Sequence, residues 1–379
     1  MTRRRISLSD IVIGEPLPWD IYDVADKLLL RKDFIVENEQ QIEALLARGM
    51  FAATKPVAPA HQPQAINRTV EKPSALRLIN QANKRLGRLL YNLQNETELE
   101  SKIMEVVASI KRAVAINEHV TLATILLNRA QSTYPVRHCI DTAIVSLLAA
   151  RNMKMSEMEI DTLLAAALTM NIGMLRQQEE LQDKASALND EDKDMIKHHP
   201  QEGLRLLKQA GVKNDGWLLT VLMHHENEDG SGYPLGKTGL KIPLAAKIIS
   251  IADRYCATIS PRNYRKALMP NVALRSVFID EKQNIDQSLA SVFMSVLGMY
   301  PAGVFVKLLN GETSVVTGQG DIMKTPMVHS LIGPGGAKLS FPIPRDTSRS
   351  MYAVQDSVDG MMHTMQVNMQ TLWGEDASL

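Results

Sequence analysis

Residues 224–234 read HHENEDGSGYP. Two adjacent histidines close an apolar helical run over 216–225, and a glycine-rich turn follows at once. Neighbouring positions on a helix point about 100° apart, so one imidazole can face a packed core while the other turns away. Alternatively, both grip ions at the helix end. Upstream, HHP at 198–200 repeats the pairing early in a second helical stretch, 190–210, which starts well because Asn189 caps it and Asp192 stands three positions on. His138 lies in a third, 138–153. Downstream, KIISIADRYCATI at 247–259 buries a carboxylate, Asp253, in an apolar helix, where an unpaired charge is costly. Its bland reading is an ion pair with Arg254 or Arg265. Imidazoles and a carboxylate on facing helices make a metal site, and spacing alone leaves that reading level with hydrogen-bonded core histidines. The remaining histidines, His61, His119, His329 and His363, are isolated and read as ordinary side chains.

Helical periodicity extends outward on both sides, over 75–94, 101–132, 158–175, 243–258 and 270–298. The chain of 379 residues is 45% hydrophobic, which predicts two or three domains with a full core. Lys+Arg and Asp+Glu balance at 42 each, removing the electrostatic footprint of a protein that grips duplex DNA. Two cysteines, Cys139 and Cys256, support neither a disulfide framework nor a four-thiolate zinc site and read as small core hydrophobes. No run of 18 apolar residues and no secretory signal stands in the sequence, so a cytoplasmic protein without a membrane span is expected. Residues 1–51 read as a small α/β domain, with strand-like pieces at 11–23 and 28–36 and a helical period over 38–49. Four prolines make 52–74 a linker. After Tyr300 short strands appear, GVFVKLL and TSVVTG, joined by the turn NGE. The expected architecture is mainly α: a helical domain over 75–317 with a short C-terminal β segment, then an extension over 318–379 whose Met361, Met362, Met365 and Met369 read as gap-filling hydrophobes.

The string HHENEDGSGYP resembles HD-GYP domains, bacterial phosphodiesterases that hydrolyse cyclic di-GMP. The resemblance continues through His138, HPQEGLRLL at 199–207, IPLAAKIISIADRY at 242–255, RNYR at 262–265 and LGMYPAGVFVKLLNGE at 297–312, and so covers roughly 120–317. It implies an HD-type helical bundle, a metal shell of His138, His199, His224, His225 and Asp253, and ligand contacts from Gly232, Tyr233, Pro234, Arg262 and Arg265. Asn263 replaces a more usual proline.

The chain departs from the family where the name-giving His-Asp pair belongs. Residues 165–175 read AAALTMNIGML, with Met170 in place of the histidine, Asn171 in place of the aspartate and Met174 in place of a lysine, while Ile172 and Gly173 stay in register. Tyr134 stands where some members carry a third-metal glutamate. Two-metal hydrolysis needs ions about 3.5–4 Å apart, bridged by a carboxylate and a hydroxide. A thioether and an amide do not supply that bridge. What is expected is therefore no metal, or a single divalent ion (Fe or Mn) in a residual site. The leading reading is a catalytically inactive or impaired signalling protein that binds cyclic di-GMP or a partner such as a GGDEF-type protein. The alternative is a phosphodiesterase with an altered, mononuclear site.

Overall fold

The structure is a computed structural model that describes residues 2–5, 16–17, 19–23, 27–36, 51–54, 72–128, 132–184, 186–261, 267–280, 285–322, 324–358, 365 and 367–379. The chain divides into two compact units, Met1–Glu71 and Lys72–Leu379.

The first unit carries an antiparallel sheet of β1 (Thr2–Arg5), β2 (Ile21–Tyr22), β3 (Leu28–Leu30) and β4 (Phe51–Thr54), in the order β1-β4-β2-β3. Leu17, Ile21 and Val36 are buried together beside Trp19, Leu29 and Leu30. The helical period at 38–49 lies outside the described residues. β4 runs three residues into the stretch read as linker, because its backbone pairs with both β1 and β2.

The second unit is helical at its centre: α1 (Ala75–Tyr91), α2 (Leu99–Ile116), α3 (Glu118–Leu127), α4 (Tyr134–Asn152), α5 (Glu157–Thr169), α6 (Leu175–Asp183), α7 (Asp190–Gln209), α8 (Asp215–Met223) and α9 (Leu244–Ile259). Side-chain caps start five of these: Ser74, Asn117, Ser156, Asn189 and Asn214 each accept a bond from a backbone N–H three residues on. The capping box of Asn189 and Asp192 is complete. α4 is the central rod, buried along nearly its whole length against α5 and α9. Trp217 of α8 donates from Nε1 to Thr169 Oγ1 at 2.7 Å, fixing α8 to the end of α5. The stretch Glu157–Asp183 is long and apolar enough to cross a membrane by composition, yet 72% of its apolar window is buried inside this bundle, as in a core helix.

Three expected helices are broken in the structure. The run 101–132 divides at Asn117, whose extended backbone (φ −159°) and side chain cap a new helix. The run 158–175 ends at Thr169, and a 3-10 turn, Ile172–Met174, leads into α6. The run 270–298 becomes α10 (Pro270–Arg275), a π turn at Ser276–Asp280 and α11 (Gln287–Leu297).

The β segment is larger than expected. β5 (Phe305–Leu308), β6 (Thr313–Gly318), β7 (Met327–Ile332), β8 (Lys338–Asp346) and β9 (Val354–Ser357) form one antiparallel sheet, ordered β8-β7-β6-β5-β9. A domain boundary at 317/318 is therefore corrected: it would cut β6 and separate it from its partner β7. Glu312, buried in the β5–β6 turn, accepts two bonds from the Arg345 guanidinium (2.7 and 2.8 Å) and one from Ser330 (2.6 Å). The closing helix α12 (Met369–Trp373) folds back, and Trp373 Nε1 donates to Thr317 O at 2.8 Å. Ser74 Oγ, at the head of α1, donates to the carbonyls of Ser378 (2.6 Å) and Asp376 (3.1 Å).

Candidate metal and ligand site

The histidines converge because α7, α8, α4 and α9 meet at one end of the bundle. His199 on α7 and His224 just after α8 are fully enclosed, and their Nε2 atoms lie 3.2 Å apart. His199 Nδ1 is 2.6 Å from Ile196 O, and His224 Nδ1 is 2.7 Å from Val221 O. A carbonyl oxygen only accepts, so each Nδ1 carries the hydrogen. Both Nε2 atoms then turn lone pairs on each other, an arrangement that needs a proton or a cation between them. Burial, reinforced by His224, pushes the His199 imidazole down to about 3. Burial also lowers His224, and burial together with the other two imidazoles lowers His225 well below its ordinary value. The proton is thus disfavoured near neutrality, and a cation is the better partner.

The candidate ligand atoms of His199, His224 and His225 all lie within 4.8 Å of one another. Two imidazole nitrogens, each about 2.0–2.1 Å from a shared ion, stand roughly 3.0–3.4 Å apart, which matches the His199–His224 separation. Neutral imidazoles are the ligating form. These three residues fit a single divalent ion.

His138 and Asp253 are engaged with each other. His138 Nε2 donates to Asp253 Oδ1 at 2.6 Å. Burial would raise the Asp253 carboxyl, but the hydrogen bond and charge of His138 outweigh it and hold the group well below the usual carboxylate range. An ion pair from Asp253 to Arg254 is not what the structure shows: the Arg254 guanidinium bonds Asn227 Oδ1. Tyr134 stacks on the His138 ring at 5.3 Å, where the family's third-metal carboxylate is implied.

A cleft of about 120 Å³ opens beside this pair, lined by Tyr134, His138, Asn171, Gln178, His225 and Asp253 among others. Asn171 is 2% exposed, and its Oδ1 has no hydrogen-bond partner. Met174 also lines the cleft, whereas Met170 is wholly buried within the main apolar cluster. The retained Gly173 has a packing reason: a Cβ there would stand 2.2 Å from His199 O and 2.6 Å from Gly203 N, so only glycine lets the 3-10 turn lie against α7.

The glycine-rich turn is held by a residue that the sequence reading passed over. Glu226, 3% exposed, accepts from Leu235 N (2.6 Å) and Lys237 N (2.7 Å). It is a loop clamp, and its only sequence signal is its place directly after His225. Gly232 leaves no room for a Cβ, which would meet Asn227 N at 2.4 Å and His225 O at 2.5 Å. Tyr233 stacks on His225 at 4.7 Å, and its N–H donates to His225 O at 3.1 Å. The turn thus sets the tilt of the His225 ring. Pro234 follows in the same turn. Arg262 and Arg265 lie outside the described residues. Cys139 and Cys256 are buried, as expected of core hydrophobes.

Residues 117–289 match the family described as HD domain. The chain is similar to a cyclic di-GMP phosphodiesterase of Pseudomonas aeruginosa, 26% identical over 242 residues, covering 64% of this chain and 57% of that protein. It is also similar to the cyclic di-GMP phosphodiesterase response regulator of Xanthomonas campestris pv. campestris, 32% identical over 145 residues, or 38% of each chain. The chain spans between roughly a third and three fifths of these curated relatives' length. Among solved structures, a HDG"Y"P protein from Bdellovibrio bacteriovorus superposes with a TM-score of 0.53 at 16% identity, covering 78% of this chain and 99% of that one, a likeness of fold.

Proposed function

We propose that this chain, whose residues 117–289 match the HD domain family and whose relatives include cyclic di-GMP phosphodiesterases, is an HD-GYP protein that acts in cyclic di-GMP signalling as a receptor, binding nucleotide or a partner protein without hydrolysing it. The observation that carries this reading is Asn171: an uncharged amide with an unpaired oxygen lines the cleft where the resemblance implies a bridging carboxylate. His199, His224 and His225 would hold one ion, which when bound would supply Lewis acidity and lower the pKa of its water. The remaining groups orient: Tyr233 stacks on His225, Glu226 fixes the turn, and Asp253 holds the His138 tautomer. This is a cytoplasmic signalling role, with a GGDEF-type protein as one candidate partner. A mononuclear phosphodiesterase is the second reading, favoured by the fit of the three imidazoles to an ion.

Metal analysis and cyclic di-GMP turnover on the purified chain separate the two. The expected result is at most one ion per chain, binding of cyclic di-GMP and negligible turnover with Mn or Fe(II). Met170→His with Asn171→Asp should raise the metal content, whereas Met174→Lys alone should restore no turnover. Robust wild-type hydrolysis abolished by His224→Ala would establish the enzyme instead.

A further inference from the structure

A second cavity, of about 290 Å³, lies between α10 and α11 and shares no residue with the cleft beside His138. Leu274 and Phe278 wall it on the α10 side, one turn apart, with Phe278 inside the π turn Ser276–Asp280. Single π turns are rare and recur at functional sites. The Phe278 ring is backed by Phe293 at 6.0 Å. Met294 and Met299 close the other side. α11 ends at Gly298, whose left-handed backbone (φ +67°) turns the chain, so Met299 reaches the same space as Met294. Met294 is 46% exposed, and the cavity opens to solvent past it. Unbranched thioethers adapt to whatever shape fills the space between them.

The polar side chains of this cavity are donors that lack acceptors. Arg275 lines it, is exposed, and makes no hydrogen bond or ion pair among the described residues. Asn271 Oδ1 accepts from Ser357 Oγ at 3.4 Å, which leaves the Nδ2 hydrogens without a partner among the described residues. No aspartate or glutamate lines the cavity among the described residues. A cationic ligand meets the wrong charge here, and a bare hydrocarbon leaves the guanidinium unanswered. An apolar body with one anionic head answers both walls, because the planar guanidinium fork matches a carboxylate. We propose that this cavity is a binding site for a free medium-chain fatty acid, with Arg275 selecting the head group and Met294 the chain. At ~30 Å³ for each group of water or methylene size, its 290 Å³ holds roughly ten. That is the lower edge of the size of small-molecule sites. The inference does not rest on the nucleotide-binding reading above.

The test titrates the full chain by calorimetry with decanoate, octanoate, decanol and decylamine, each below the concentration at which it forms micelles. Decanoate should bind saturably at a single site per chain. Octanoate should bind about tenfold more weakly, which is the value of two buried methylenes. Decanol keeps the chain and loses the charge, and should bind about fivefold more weakly, the upper range for an exposed ion pair. Decylamine should be weaker still. Arg275→Gln should bring decanoate down to the level of decanol and leave decanol unchanged. Met294→Asp, at an exposed position, should weaken both by about tenfold or more, and decanoate the more strongly. Circular dichroism checks that each variant is folded, and the ligand series on the wild-type chain decides the matter if either is not. No saturable binding of decanoate, equal binding of decanoate and decylamine, or indifference of decanoate to both variants would overturn the proposal. Uptake of many decanoate molecules per chain is a detergent effect and overturns it as well.

Discussion

At the scale of single residues, the site is governed by what burial does to imidazole and by one carboxylate, Glu226, that clamps the turn beside the histidines. His199 and His224 have folded values below the ordinary 6.5, so the unfolded chain binds more protons than the native one as the pH falls through that value. Their contribution to stability is fully present above about pH 6.5 and is lost on acidification, by up to about 1.4 kcal/mol per pH unit for each group. Denaturant unfolding at about pH 7 and about pH 5 should show this loss, and His199→Gln should flatten the slope. Glu226→Ala removes both acceptors from the Leu235 and Lys237 amides and should cost about 1–3 kcal/mol. Faster hydrogen exchange at those two amides is the local readout, and Glu226→Gln, which keeps one acceptor oxygen, should lie between. The histidines were legible in the sequence because their motif is contiguous. The duty of Glu226 was not, since it depends on backbone amides nine and eleven residues on that only tertiary structure brings near.

At the scale of elements, the seat of His199 depends on how closely the turn Ile172–Met174 lies against α7. Gly173→Ala would place a methyl inside van der Waals contact of backbone atoms, which cannot rotate away. The expected cost is about 2–3 kcal/mol. His199 should shift with α7, so metal affinity should fall in the same variant, and a thermal melt paired with a metal titration measures both. Most helices announced themselves by period and cap, as Asn189 with Asp192 did for α7. The later strands did not. β8 contains Pro342 and Pro344, which argue against a strand, and the structure resolves the conflict by placing it at the sheet edge, where a missing donor is tolerated. The break at Asn117 was hidden because the apolar pattern runs straight through it while the backbone does not.

At the scale of the whole unit, Lys72–Leu379 is tied end to end. The carbonyls of Asp376 and Ser378 meet Ser74 at the head of α1, and Asn117 Nδ2 donates to Asp376 Oδ2 at 2.9 Å. Removing 369–379 should therefore weaken the helical bundle as well as the sheet, lowering its midpoint by several degrees in one cooperative transition. Two separate melts, with the helical signal unmoved, would show that the sheet and its tail are an independent module. Periodicity changes near 317/318, but a change of local pattern does not mark a boundary when the strands on either side pair.

Trp217 gives the site an optical address. Its indole is enclosed, anchored to Thr169 beside the Met170–Asn171 substitution, on the short helix that ends at His224. The sequence holds two other tryptophans, Trp19 and Trp373, each far along the chain from it. With those two replaced by phenylalanine, the emission of the remaining indole becomes a label-free signal of whatever settles between the imidazoles, recorded without any attached dye.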